Sequence, residues 1–175
     1  MKKQKDITAT KRFCFVGISG KPGVDGPLKA LSDETLSGKI ISQVEAKLRT
    51  APDNATFFRD NLVQNPPLTN GKLRYPSLAE LKSEWHSFEI RMTRLKSNIV
   101  ILLGKIVADF FKDRRSIRIL DCPSADGRFL KWAGVDENGV LVLAVAHPSY
   151  IGVYARKHVE KYADNICQAV HALIE

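Results

Sequence analysis

Three stretches of this chain are apolar at odd and even positions alike: RFCFVGIS (12–19), SNIVILLG (97–104) and VLVLAVA (140–146). Successive side chains of a strand point to opposite faces, so a strand of this kind must be covered on both sides. Amphipathic helical patterns lie between and after these runs. In 33–50, Ile40, Ile41, Val44 and Leu48 recur at helical spacing, with acids at the start and bases at the end to suit the helix dipole. In 77–96, Ser77 stands as N-cap with Glu80 three residues on, a capping box. A short helix is expected over KIVADFFKD, and a last one over the C-terminal segment, with Val159, Ala163, Ile166, Val170 and Leu173 on its buried face. A further strand, FFRDNLV, is cut off by Pro66 and Pro67, and DENG makes a turn between two extended runs. Strands alternating with helices predict a three-layer α/β/α sandwich around a mostly parallel central sheet of about four strands.

The 175 residues suit one domain, expected over 12–175 behind a loose basic arm, 1–11. No apolar run reaches the roughly 18 residues that cross a bilayer, and the basic N-terminus lacks the apolar stretch of a signal peptide. Three scattered cysteines, Cys14, Cys122 and Cys167, form no CxxC pair, which fits a reducing, cytoplasmic setting. The four histidines are far apart and show no metal-ligand spacing. Against 19 acids stand 27 Lys and Arg, a net charge of +8 that draws polyanions, nucleic acid first among them.

In parallel sheets, ligands bind beyond the carboxyl ends of the strands. Here those ends read GISGKPG, NLVQNPP, LLGK and AHPS, so every loop of unusual composition falls on one edge. GISGKPGVDGP is neither a Walker A loop nor a GxGxxG turn; it is either a phosphate-lined turn or a plain tight connection. Asn61 and Asn65 offer amides able to read a base edge, although Asn65 before two prolines equally well ends a strand. His147 stands at the end of the last strand, where an imidazole either holds a structural hydrogen bond or meets developing negative charge.

Taken in order, FVGISGKPG, GPLKALSDETLSGKIISQVEAKL, DNLVQNPP, SNIVILLGKIVADFF and AHPSYIGVYARK resemble the successive motifs of the uracil-DNA glycosylase superfamily. The resemblance spans residues 12 to 170 and implies that family's fold. It also implies an enzyme that flips a deaminated, damaged or modified base, uracil-type or a bulkier pyrimidine, out of DNA and hydrolyses its glycosidic bond. The alternative it allows is a catalytically silent member that binds nucleic acid, a free nucleobase or a nucleotide.

By motif match, His147 would stabilise the leaving base and Asn61 contact its edge, with Gly17, Ile18 and Leu28 completing the base site. Tyr150 and Ile151 would enter the DNA stack, while Lys21, Ser149, Arg156 and Lys157 meet the backbone. Many relatives carry Asp, Glu or Asn in the first motif; this chain has Ile18 and Ser19 there, so Ser19, Asp33 and Glu34 become the catalytic candidates beside His147. Leu28 occupies the region where a stacking aromatic is expected. The iron–sulfur branches need four cysteines, so no cluster, metal or other cofactor is expected. The implied protein is a cytoplasmic monomer acting on DNA, nucleoid-associated in a bacterium, with no membrane partner.

Overall fold

The computed structural model describes residues 10–49, 55–123 and 126–174. Of the basic arm, residues 1–9 lie outside the described part, and Lys11 already belongs to a strand. The elements run β1 (Lys11–Ser19), β2 (Pro22–Gly23), β3 (Gly26–Pro27), α1 (Leu36–Leu48), β4 (Ala55–Val63), β5 (Leu68–Thr69) and β6 (Lys72–Leu73). There follow α2 (Leu78–Leu95), β7 (Ile99–Leu103), α3 (Lys105–Arg114), β8 (Ile117–Leu120), β9 (Leu130–Asp136), β10 (Leu141–Val145), α4 (Pro148–Tyr154) and α5 (Val159–Ile174).

One sheet runs in the order β4-β1-β7-β10-β9-β8. Its first four strands are mutually parallel, and β9 and β8 extend it antiparallel. The sheet therefore has six strands rather than about four. The additional pair follows from the DENG turn, where Asp136 Oδ1 accepts the N–H groups of Asn138 and Val140 and folds β10 back beside β9. A second correction concerns the C-terminal helix, which sequence periodicity runs together from Tyr154. The segment breaks at Ala155 into α4, a single 3₁₀ turn over Arg156–His158, and α5.

The continuous apolar strands are covered on both faces. Phe13, Phe15, Ile99, Ile101, Leu141 and Leu143 pack against α1, α4 and α5. Cys14, Val16, Val100, Leu102, Val142 and Ala144 face α2 and α3. Burying each large side chain contributes about 1.5–3 kcal/mol, and truncating one, as in Leu102→Ala, costs about 2–5 kcal/mol. Burial also pushes the Cys14 thiol far above its ordinary range, so it serves as a packing residue. Among the described residues no helix is long and apolar enough to cross a membrane.

This architecture brings the ends of β1, β4, β7 and β10 to one edge. Two small hairpins, β2–β3 and β5–β6, rise from the loops there. The second turns on Asn70 and Gly71, both in left-handed backbone. It is tied down by Arg74, whose guanidinium forks onto the Glu80 carboxylate at 2.7 Å through each nitrogen. That fork, with the Ser77 amide, holds the Glu80 carboxyl at about 2, and the same carboxylate completes the capping box of α2.

Candidate functional site

Parallel pairing sets Gly17 of β1 directly beside Asn61 of β4. The backbone of Asn61 is fully engaged: its N–H donates to Asp60 Oδ1 and its carbonyl accepts Arg91 Nη2, both at 2.8 Å. Arg91 in turn donates through Nε to Asp60 Oδ2 at 2.9 Å, so α2 pins the end of β4. The side-chain amide of Asn61 has no partner among the described residues, although the residue is only 4 % exposed. It lies over Gly17, where a Cβ would fall well inside the 3.0 Å that real Cβ atoms keep from their neighbours. The absence of a side chain at 17 is what admits the amide.

The exit of β10 is held as firmly. Tyr162, fully buried on α5, donates its hydroxyl to the Ala146 carbonyl at 2.8 Å. Ala146 donates to the Phe129 carbonyl at 2.7 Å, and Gly104 to that of Val145 at 2.9 Å. His147 follows as the N-cap of α4, its Nδ1 accepting the Ser149 amide at 3.2 Å with Ser149 Oγ at 2.7 Å. A backbone amide only donates, so Nδ1 carries the lone pair and Nε2 carries the proton. Burial, and then the charge of Lys21, lower the imidazole to about 4. At neutral pH it is therefore an uncharged Nε2–H donor. Gly104, at φ 94°, backs the ring so closely that a Cβ there would stand 3.3 Å from its Cδ2.

His147 and Asn61 line one cavity of about 240 Å³, together with Gly17, Ile18, Ser19, Lys21 and Ser149. These are the residues that sequence reasoning assigned and the fold brings together. Two of its assigned catalytic acids are not among them. Asp33 turns outward to Ser42 and Arg59, which in that order lower its carboxyl, and Glu34 shares with it a shallow groove beside Gln64. The reason is a tertiary strap: Arg59 binds the Leu31 carbonyl, Asp33, Ser42 and Glu45 at 2.7–2.9 Å, drawing the 31–33 loop against α1. The sequence pattern starts α1 at the acids, whereas the N-cap is Thr35.

Leu28 is likewise corrected; it packs over Gly23 in the β2–β3 hairpin and does not line the cavity. Leu31, three residues later and held in left-handed backbone, takes that position against Gly17. Ile151 is also corrected, being 2 % exposed in the core beneath α4, where a wedge cannot reach DNA. Its neighbours Tyr150 and Tyr154 are exposed and lie ring to ring at 5.3 Å, with Arg156 and Lys157 exposed beyond them.

The cavity also gathers residues that sequence reasoning missed: Lys29, Thr35 and Ser37 around the start of α1, and Leu73, Arg74 and Tyr75 from the β5–β6 hairpin. The Asn70–Gly71 dipeptide was the available signal for that hairpin. None of the described residues that line it is acidic. Among the described residues no cluster of three His, Cys, Asp or Glu side chains is arranged to hold a metal ion.

A comparison with curated proteins finds no match. A family model, that of the uracil DNA glycosylase superfamily, matches residues 6–171. That match runs through all four strand ends of the cavity and nearly the whole chain, and the parallel sheet flanked by helices agrees with it. The chain belongs to the uracil DNA glycosylase superfamily.

Proposed function

We propose that this protein is a monofunctional DNA glycosylase that flips a deaminated, damaged or modified base into the cavity and releases it by hydrolysis. The observation that carries the proposal is the pairing of an unpartnered Asn61 amide with a neutral His147 Nε2–H in one base-sized cavity. An amide offers donor and acceptor to a base edge. When the bond from sugar C1′ to the base nitrogen breaks, its electron pair moves into the base. A preorganised, uncharged N–H donor aimed at a base oxygen then stabilises the charge that develops there. Water adds to C1′ and loses its proton, leaving an abasic site.

With no carboxylate among the described residues that line the cavity, the rate rests on the leaving base more than on activation of water. Bases that better carry negative charge should leave faster. Tyr75, 71 % exposed at the mouth, supplies the aromatic face that Leu28 does not, and stacking of that kind contributes about 1–3 kcal/mol per base. Lys21, Ser149, Tyr150, Arg156 and Lys157 form the DNA-facing rim, and the +8 charge makes binding salt-dependent.

The test is excision from oligonucleotides carrying uracil, hypoxanthine, xanthine or hydroxymethylated and glycosylated pyrimidines, read as alkali-labile sites. His147→Ala should lower the rate by about 10²–10³-fold, the usual effect of removing one such donor. An unchanged rate refutes the role of His147. The same acid-free lining favours a second reading, a silent member of the family that holds a base or nucleotide without cleaving it. Binding of base-modified DNA with no abasic product would select that reading.

A further inference from the structure

We infer that the cavity contains an oxyanion subsite at the N-terminus of α1, so that the base or nucleotide it takes carries a carboxylate or a phosphate. This inference rests on reading the cavity as a base pocket. The first residues of a helix have N–H groups with no intrahelical partner, and the helix dipole makes that end positive. In α1 the Gly38 amide is taken by Thr35 Oγ1 and the Lys39 amide by the Thr35 carbonyl, each at 3.1 Å. The amides of Leu36 and Ser37 are left without a partner among the described residues.

Ser37 supplies an independent observation. It lines the cavity, is 2 % exposed, and its hydroxyl has no hydrogen-bond partner among the described residues. A buried polar group in that state calls for one. Two ammonium groups complete the picture: Lys21 and Lys29 line the same cavity, and neither has an ion-pair partner among the described residues. The third cation, Arg74, is already neutralised by Glu80, and no acidic side chain among the described residues lines the space.

A neutral pyrimidine would engage Asn61 and His147 and leave the helix start, the Ser37 hydroxyl and both lysines facing nothing. An oxyanion satisfies them together through charge-assisted hydrogen bonds. It can be a substituent of the base or the phosphate of its own nucleotide.

The experiment is calorimetric titration of the full chain with uracil, 5-carboxyuracil, deoxyuridine monophosphate and inorganic phosphate, repeated on Ser37→Ala and Lys29→Gln. The carboxylated base or the monophosphate should bind at least about tenfold tighter than uracil, and each substitution should remove most of that advantage. Whichever of the two probes gains shows where the anion is carried. Equal affinity for charged and neutral probes overturns the inference, as does an advantage that survives both substitutions. Inorganic phosphate separates the two claims. Phosphate binding that is lost in Ser37→Ala, with no base bound, keeps the subsite and refutes the base pocket. Failure of every probe to bind refutes both.

Discussion

Gly17→Ala tests the heart of the site without removing any group that touches the ligand. The added methyl meets Asn61 Oδ1 far inside the 3.0 Å limit and Leu31 Cδ2 at 3.3 Å, so the amide must retreat by about half an ångström or more. The atom that must move is the free end of a side chain beside an open cavity. Rotating it off its preferred position costs about 0.5–1.5 kcal/mol, which a melting curve should show as a shift of a few degrees. The loss at the ligand is larger. Two neutral hydrogen bonds to a base edge are together worth about 1–3 kcal/mol, so affinity or single-turnover excision should fall roughly 5- to 150-fold. The control is a cycle with Asn61→Ala. Once the amide is gone, Gly17→Ala has nothing to displace, and the double variant should perform no worse than Asn61→Ala alone. Additive losses, or a Gly17→Ala protein that matches wild type, would show that Asn61 does not address the ligand from its observed position.

The imidazole of His147 titrates near 4 instead of 6.5, so excision should be independent of its protonation from pH 8 down to about 5 and fall below that; an acid limb centred near 6.5 would contradict the assigned environment. The same depressed value means that the unfolded chain takes up this proton first, so His147 should contribute stability above pH 6.5 that is lost between pH 6.5 and about 4, measurable by urea unfolding across that range. Asp33→Asn and Glu34→Gln should each keep excision within a few-fold of wild type, because neither carboxylate lines the cavity; a loss of orders of magnitude would restore an acid to the mechanism. Arg115→Ala should destabilise the fold by about 3 kcal/mol in denaturant titration, since it strips an ion pair from the Asp136 carboxylate, which is 2 % exposed and keeps only its backbone donors.

How far such a site can be read from sequence depends on whether each residue's role is local. The apolar runs of β1, β7 and β10 are covered on both faces for the reason their composition gives, and Ser77 with Glu80 caps α2 through atoms three residues apart. The cap that His147 makes is legible too, because it is formed with Pro148 and Ser149 next to it. Leu31 and Asp33 are not, because their conformations are imposed by Arg59, which lies 28 and 26 residues away. The burial of Ile151 has the same kind of cause: Gly152 lets α4 close down on Leu36 and Ile40 of α1, and this buries the face that the motif alone would place against DNA.

These misses share a direction. Position 18, beside Gly17, holds Ile, Asp33 is turned outward to Arg59, and none of the described residues that line the cavity is acidic. What the fold gathers in its place is positive: Lys21, Lys29 and the start of α1. Such a lining disfavours a cationic sugar and favours an anionic base or substituent, because charges in a partly enclosed space are poorly screened. On the proposed reading, the electrostatic burden of the reaction falls on the departing base, and His147, held uncharged, would donate to that base without adding to the positive field.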